Sequence, residues 1–159
     1  MNTNALVIRE QLHHGADHLH LVQSLNSIGR TYLHLHKLDT ALDMFQRALA
    51  TSERLFAADH PETAKSLHGL GFVHQYTHGG LDKSIEFYER SLDMYKRLSG
   101  GKADTADVAK LLFFLSSAHL ALRQHDRALE YATLSLEMRR RLYKHHHQQQ
   151  QHADLVKSL

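Results

Sequence analysis

One feature constrains this chain more than any other: it repeats itself. Four segments align without gaps, ADHLHLVQSL (Ala16–Leu25), ADHPETAKSL (Ala58–Leu67), ADTADVAKLL (Ala103–Leu112) and QHADLVKSL (Gln151–Leu159). Their starts lie 42, 45 and 47 residues apart, with the fourth counted from the position before Gln151. Between them runs a second set, DTALDMFQRAL (Asp39–Leu49), DKSIEFYERSL (Asp82–Leu92) and DRALEYATLSL (Asp126–Leu136). A period in this range means stacked supersecondary units that share a continuous core. A single globular core wound from unrelated elements is thereby excluded.

Both units read as helices. Ala41, Leu42, Phe45, Ala48 and Leu49 form one apolar stripe of period 3.6, and Ser84, Ile85, Tyr88, Ser91, Leu92 and Ala128, Leu129, Ala132, Ser135, Leu136 repeat it. Small residues at the first and fourth places let a neighbouring helix come close. In the other unit Leu25, Ile28, Gly29 and Tyr32 give the packing face, followed by Leu67, Leu70, Gly71, His74 and by Leu112, Leu115, Ser116, His119. Asp39, Asp82 and Asp126 precede each stripe by two residues, where a carboxylate caps free N–H groups and meets the positive end of the dipole. Pro61, the sole proline, is expected in a first helical turn, where its missing N–H removes no bond.

Leu-x-x-Ile-Gly-x-x-Tyr followed by Ala-x-x-x-Phe-x-x-Ala resembles the tetratricopeptide repeat, and the longer period with Asp59-His60-Pro61 resembles its 42-residue kinesin-light-chain type. The resemblance implies an all-α fold, a right-handed α-solenoid of antiparallel helix hairpins. The expected divisions are a half-repeat over 1–15, repeats over 16–57, 58–102 and 103–144, a His/Gln loop over 145–151, and the start of a further repeat over 152–159. The chain is expected to be a window onto a longer array, and self-association through its uncapped ends is expected with it.

Function follows from the same resemblance: a protein–protein interaction scaffold that binds a peptide or partner domain in its concave groove, with a kinesin-light-chain-like cargo adaptor as the more specific version. Carried over residue by residue, the groove is lined by Gln23, Asn26, Arg30, Leu33 and His34, then Lys65, His68, Phe72, Gln75 and Tyr76, then Lys110, Phe113, Ser117, Leu120 and Ala121. Its cations, amides and phenylalanines suit a peptide or short helix with acidic and aromatic or leucine anchors. Packing of Phe72 and Phe113 between adjacent first helices is the competing reading. Repeats that clamp the C-terminal carboxylate of heat-shock chaperones need cations and asparagines where this chain has Asn26, Arg30, Gly69, Lys110 and Phe114. Only Lys110 fits, so that ligand is not expected. The alternative function is a regulatory or sensory repeat domain, either a peptide-responsive regulator or a histidine-rich metal-responsive scaffold.

Composition narrows the remaining classes. With 19 Lys+Arg against 17 Asp+Glu, the net charge of +2 gives no reason to expect nucleic acid. Zero cysteines removes thiolate metal sites and disulfides. The longest apolar run, Leu111–Leu115, is far below the ~20 residues of a membrane span, and the N-terminus has no signal-peptide pattern, so the expected setting is cytoplasmic. No phosphate-binding, nucleophile-elbow or dinucleotide motif occurs, and the evenly spaced aspartates read as helix starts, so neither an enzyme nor a cofactor is expected. Sixteen histidines include no His-Glu-x-x-His, and no specific metal site is expected. Histidine protonation near pH 6.5 is expected to loosen the array on acidification. Arg139-Arg140-Arg141 with Lys144 reads as a dipole complement in a last helical turn, or as a docking patch for an acidic partner or an anionic membrane surface.

Overall fold

The computed structural model describes the backbone of residues 3–100 and 105–157, and the side chains of residues 18–100, 105–144 and 147. Among the described residues there are six α-helices and no strand: α1 Thr3–His34, α2 Leu38–Leu55, α3 Pro61–Gln75, α4 Leu81–Leu98, α5 Ala106–Ala121 and α6 His125–Lys157. They pair as hairpins α1/α2, α3/α4 and α5/α6. The hairpins stack so that α2 meets α3, α4 meets α5, and the first helices α1, α3 and α5 lie side by side. This is the α-solenoid implied by the repeats.

The apolar stripes form the core. Ala41, Phe45 and Ala48 of α2 are buried, as are Ser84, Tyr88, Ser91 and Leu92 of α4. The small residues do more than permit close approach. Ser91 Oγ donates to the Ala64 carbonyl and Ser135 Oγ to the Ala109 carbonyl, each at 2.7 Å, so the second helices of the α3/α4 and α5/α6 hairpins are stitched to a backbone oxygen on their first helices. Opposite them, Leu67, Leu70, Leu111 and Leu115 are almost fully buried. His74 and His119 take the aromatic role, stacking on Phe87 at 5.5 Å and on Tyr131 at 5.3 Å.

Hairpin turns share one backbone device. His36, Gly79 and Arg123 stand at equivalent positions and all adopt left-handed φ, of 56°, 69° and 58°. At the first and third turns, paired bonds close the helix end: His36 N–H to Leu33 and Lys37 N–H to Tyr32, then Arg123 N–H to Leu120 and Gln124 N–H to His119. These six-to-one and five-to-two bonds satisfy carbonyls that a helix end leaves free.

Several expectations need correction. Asp39, Asp82 and Asp126 lie inside the first turns of α2, α4 and α6, and the residues before α2 and α4, Lys37 and Gly80, make no side-chain cap. The aspartates therefore complement the dipole rather than cap. Pro61 does open α3, and its cap is His60, whose Nδ1 accepts from Glu62 N–H at 3.1 Å. Ile28 is 44% exposed although its counterparts Leu70 and Leu115 are buried, because among the described residues no second helix packs on that face of α1 as α2 packs on α3.

The helix boundaries differ as well. α1 runs unbroken across the division expected at residue 15, and α6 runs through the expected 145–151 loop and into 152–157. A lone glycine costs only about 1 kcal/mol in a helix, so Gly15 does not end α1. The 145–151 tract holds neither glycine nor proline, and glutamine is a good helix former. Arg139–Arg141 consequently sit inside α6 rather than in its last turn, which removes the dipole reading. Among the described residues no helix is long and apolar enough to cross a membrane.

Candidate functional site

Packing α1, α3 and α5 side by side leaves a concave face, and a cavity of about 1010 Å³ opens along it. Gln23, Asn26, Arg30, Leu33 and His34 line it from α1; Lys65, His68 and Phe72 from α3, with Tyr76 just beyond; and Lys110 from α5. Gln75, Phe113, Ser117, Leu120 and Ala121 lie outside this lining. Gln75 bridges helices instead, donating to Ser117 Oγ at 3.0 Å and accepting from the Tyr88 hydroxyl at 2.9 Å. Phe113 is half exposed on the α6 side of α5, where the Arg139 guanidinium covers its ring at 5.4 Å.

The cavity has two unlike walls. Between α1 and α3 the contact is polar: Asn26 Nδ2 donates to the Glu62 carbonyl and to Glu62 Oε2, both at 3.1 Å, while Ser66 Oγ donates to Asn26 Oδ1 at 2.8 Å. Asn26 is 8% exposed and its amide is occupied by this clasp, so its main work is to join two repeats. Between α3 and α5 the contact is aromatic. Phe72 meets Phe114 edge-on at 5.4 Å and Tyr76 at 5.0 Å, and Phe114 stacks on Tyr88 at 5.6 Å. Both readings of Phe72 hold together, since it packs between first helices and also faces the cavity. Phe113 does neither.

Electrostatics favour an anionic guest. Lys65 Nζ sits 2.7 Å from Glu62 Oε1, and Lys110 Nζ 3.8 Å from Asp107 Oδ1. Both lysines keep more than half their side chain in solvent; Asp107 is exposed too, so the Lys110 pair exchanges partners at little cost, whereas the buried Glu62 carboxylate holds Lys65 more firmly. Arg30 has no carboxylate within ion-pair distance among the described residues. His68 adds no charge: burial against Tyr88 and Phe114 pushes its imidazole down to about 4, more than Asp107 raises it. It is a neutral, half-aromatic surface at pH 7.

Sequence reasoning missed Glu62, Asp107, Phe114 and Tyr95 as lining residues. Glu62-x-x-Lys65 and Asp107-x-x-Lys110 are one-turn spacings and carried a usable signal. Tyr95 comes from α4, behind the first helices, and no local pattern announces it. Among the described residues no group of three or more His, Asp or Glu is placed to hold a metal. Of the 145–152 histidines only the side chain of His147 is described; the others lie outside the described residues.

A tetratricopeptide repeat family model matches residues 3–54 and, overlapping, 23–97, together more than half the chain. The chain belongs to the tetratricopeptide repeat family. Repeats of this family are generally non-catalytic and typically bind proteins. No curated protein sequence gives a significant match. Among solved structures, the chain is similar to the tetratricopeptide domain of Arabidopsis FLU, with a TM-score of 0.66 and 20% identity over 80% of this chain and 98% of that one. It is similar also to BtubC (BKLC) from P. vanneervenii, with a TM-score of 0.67 and 22% identity over 77% of this chain and 48% of that one. A third is the set of nearly identical repeats assigned to a P. anserina kinesin light chain, with a TM-score of 0.63 and 17% identity over 74% and 54%. The tetratricopeptide chain thus spans about half the length of the last two structures. At these identities the likeness is one of fold.

Proposed function

We propose that this tetratricopeptide array is an interaction module whose concave groove binds a peptide or partner segment carrying acidic residues beside an aromatic or leucine anchor. The observation that carries this reading is the pairing of an aromatic wall, Phe72 with Phe114, and three cations, Arg30, Lys65 and Lys110, around one cavity. An apolar anchor supplies most of the affinity at such a surface, while the cations select against basic partners. A kinesin-light-chain-like cargo adaptor working in the cytoplasm is the finer form of the reading, supported by the 42- and 45-residue repeat spacing and by the absence of cysteine.

The test is fluorescence anisotropy with a panel of labelled peptides in which acidic, basic, aromatic and aliphatic positions are varied independently. Acidic peptides with one large apolar residue should bind best, and the combined Lys65→Glu, Phe72→Ala, Lys110→Glu variant should weaken them at least tenfold. Undiminished binding by that variant would place the ligand elsewhere.

A further inference from the structure

Where α3 meets α5, the groove sets a polar cluster beside its aromatic wall. Asp107, Lys110 and Phe114 follow one another at i, i+3 and i+7, so they share one face of α5, and all three line the cavity. Tyr95 reaches the same place from α4. Its ring packs against the apolar cluster of Val108, Leu111 and Leu115, while its hydroxyl makes no hydrogen bond among the described residues. Burial, then Asp107, then Glu62 push its phenol up, so the hydroxyl lies near both carboxylates and keeps its proton. His68 feels Asp107 and Lys110 in turn, and its ring stands 5.3 Å from that of Phe114. Ion pair, phenol and rings therefore surround one spot.

The two carboxylates differ in what they can still accept. Glu62 is buried and occupied, with Oε2 accepting from Asn26 at 3.1 Å and Oε1 from Lys65 at 2.7 Å. Asp107 and Lys110 are 3.8 Å apart and each keeps more than half its side chain in solvent, so this pair opens at little cost. A guest carboxylate that takes Lys110 alone leaves Asp107 without its counter-ion, and a guest ammonium that takes Asp107 alone strands Lys110. A ligand with both charges replaces the pair and strands neither. The Tyr95 hydroxyl adds a donor for the ligand's carboxylate, and Phe72 and Phe114, edge-on to each other at 5.4 Å, offer ring surface for an aromatic side chain.

We propose that this seam binds a free α-amino acid with an aromatic side chain, its ammonium on Asp107, its carboxylate on Lys110 and Tyr95, and its ring on Phe72 and Phe114. An α-amino acid holds both charges on one carbon, so they reach the two members of one ion pair together. The same residue within a peptide has lost at least one of those charges. Aromatic lining with a few convergent polar groups is the usual make-up of a small-molecule site, and such a ligand fills only part of the 1010 Å³ cavity. The site rests on its own residues and holds whether or not the groove also takes a peptide.

Isothermal titration calorimetry on the full chain at pH 7 tests this with L-phenylalanine, L-alanine, N-acetyl-L-phenylalanine, which lacks the ammonium, and L-phenylalaninamide, which lacks the carboxylate. L-Phenylalanine should bind best of the four. Tyr95→Phe keeps the packed ring and should weaken it about three- to tenfold, the value of one hydrogen bond to a charged group. The decisive readout is a crossover of selectivity. Asp107→Asn should weaken L-phenylalanine but not the N-acetyl compound, and Lys110→Gln should weaken L-phenylalanine but not the amide. A merely structural role would lower all ligands together, and circular dichroism checks that the helices are kept. No binding of L-phenylalanine up to about 10 mM overturns the proposal. So does an amide that binds as tightly as the free amino acid, which would point to a peptide N-terminus, or a loss in the variants that is equal for every ligand. No peptide enters these titrations, so their failure is separate from failure of the peptide reading.

Discussion

Phe45 is the point at which the first two repeats lock, and Gly69→Ala tests how tightly. The ring is 3% exposed and lies between two glycines on different helices. A Cβ on Gly69 of α3 would overlap the ring edge, and a Cβ on Gly29 of α1 would come within 2.9 Å of its Cζ. The ring therefore has no room to retreat from a methyl group on either side. By helix propensity alone, Gly→Ala in a helix interior stabilises by about 1 kcal/mol. Overpacking a filled core costs about 1–3 kcal/mol, and a ring held from both sides belongs at the upper end. The net expectation is destabilisation of about 2 kcal/mol, or roughly 4–8 °C in melting temperature for a chain of this size. Urea denaturation followed by circular dichroism measures it. In a Phe45→Leu background the clash is relieved and propensity should dominate, so the same substitution becomes neutral or stabilising. The double-mutant cycle should then give a coupling of about 2 kcal/mol. A Gly69→Ala protein more stable than the wild type, or strictly additive effects, would refute the wedge.

Three further outcomes follow from the same geometry. His68 is held near a pKa of about 4 by burial while its unfolded value is 6.5, so its contribution to stability is complete above pH 6.5 and is lost as pH falls toward 4, by roughly 3 kcal/mol in all. His60 and His74 are lowered too, chiefly by burial, and act in the same direction; denaturant midpoints across pH 4–7 should flatten markedly in His68→Leu but not completely. Asn26→Ala should cost about 2 kcal/mol in urea midpoint, because it strips partners from Glu62 and Ser66 at buried positions; a change below 0.5 kcal/mol would mean that water replaces the amide. His36→Gly and Arg123→Gly should each stabilise the protein against thermal unfolding by about 0.5–1 kcal/mol, and additively, since the equivalent Gly79 already adopts the left-handed φ that strains a residue with a Cβ.

What the sequence disclosed and what it hid divide along physical lines. Leu67, Leu70, Phe45 and Tyr88 were legible because burial in a stacked helix follows a local period that recurs three times. Ile28, Leu129 and Leu136 obey the same period and are exposed, because a period marks a face and says nothing about whether a partner helix is present. Gly15 and the His/Gln tract lie within helices although the spacing between repeats suggests breaks there, because the turns in this chain are made by left-handed residues such as His36 and Gly79. Lys65, Phe72 and Lys110 reached the groove by register alone. The Asn26–Glu62–Ser66 clasp could not be read that way: its partners are 36 and 40 residues apart and none recurs at the next junction.

That last difference gives the groove a direction. The repeats are equivalent as backbone, yet the α1/α3 junction is closed by a polar clasp and the α3/α5 junction by stacked rings with the Gln75–Ser117 bond beside them. A peptide lying across the groove in the proposed mode therefore meets Arg30 and a satisfied polar wall at one end and Phe72, Phe114 and neutral His68 at the other. Desolvating a charged group against the aromatic wall is unfavourable, and burying an apolar one against the clasp forgoes ring contacts, so a reversed ligand loses on both counts. A groove built from identical repeats would bind either polarity alike. Here the polarity is set by five side chains, Asn26, Glu62, Ser66, Phe72 and Phe114, that differ between junctions while the helices around them do not.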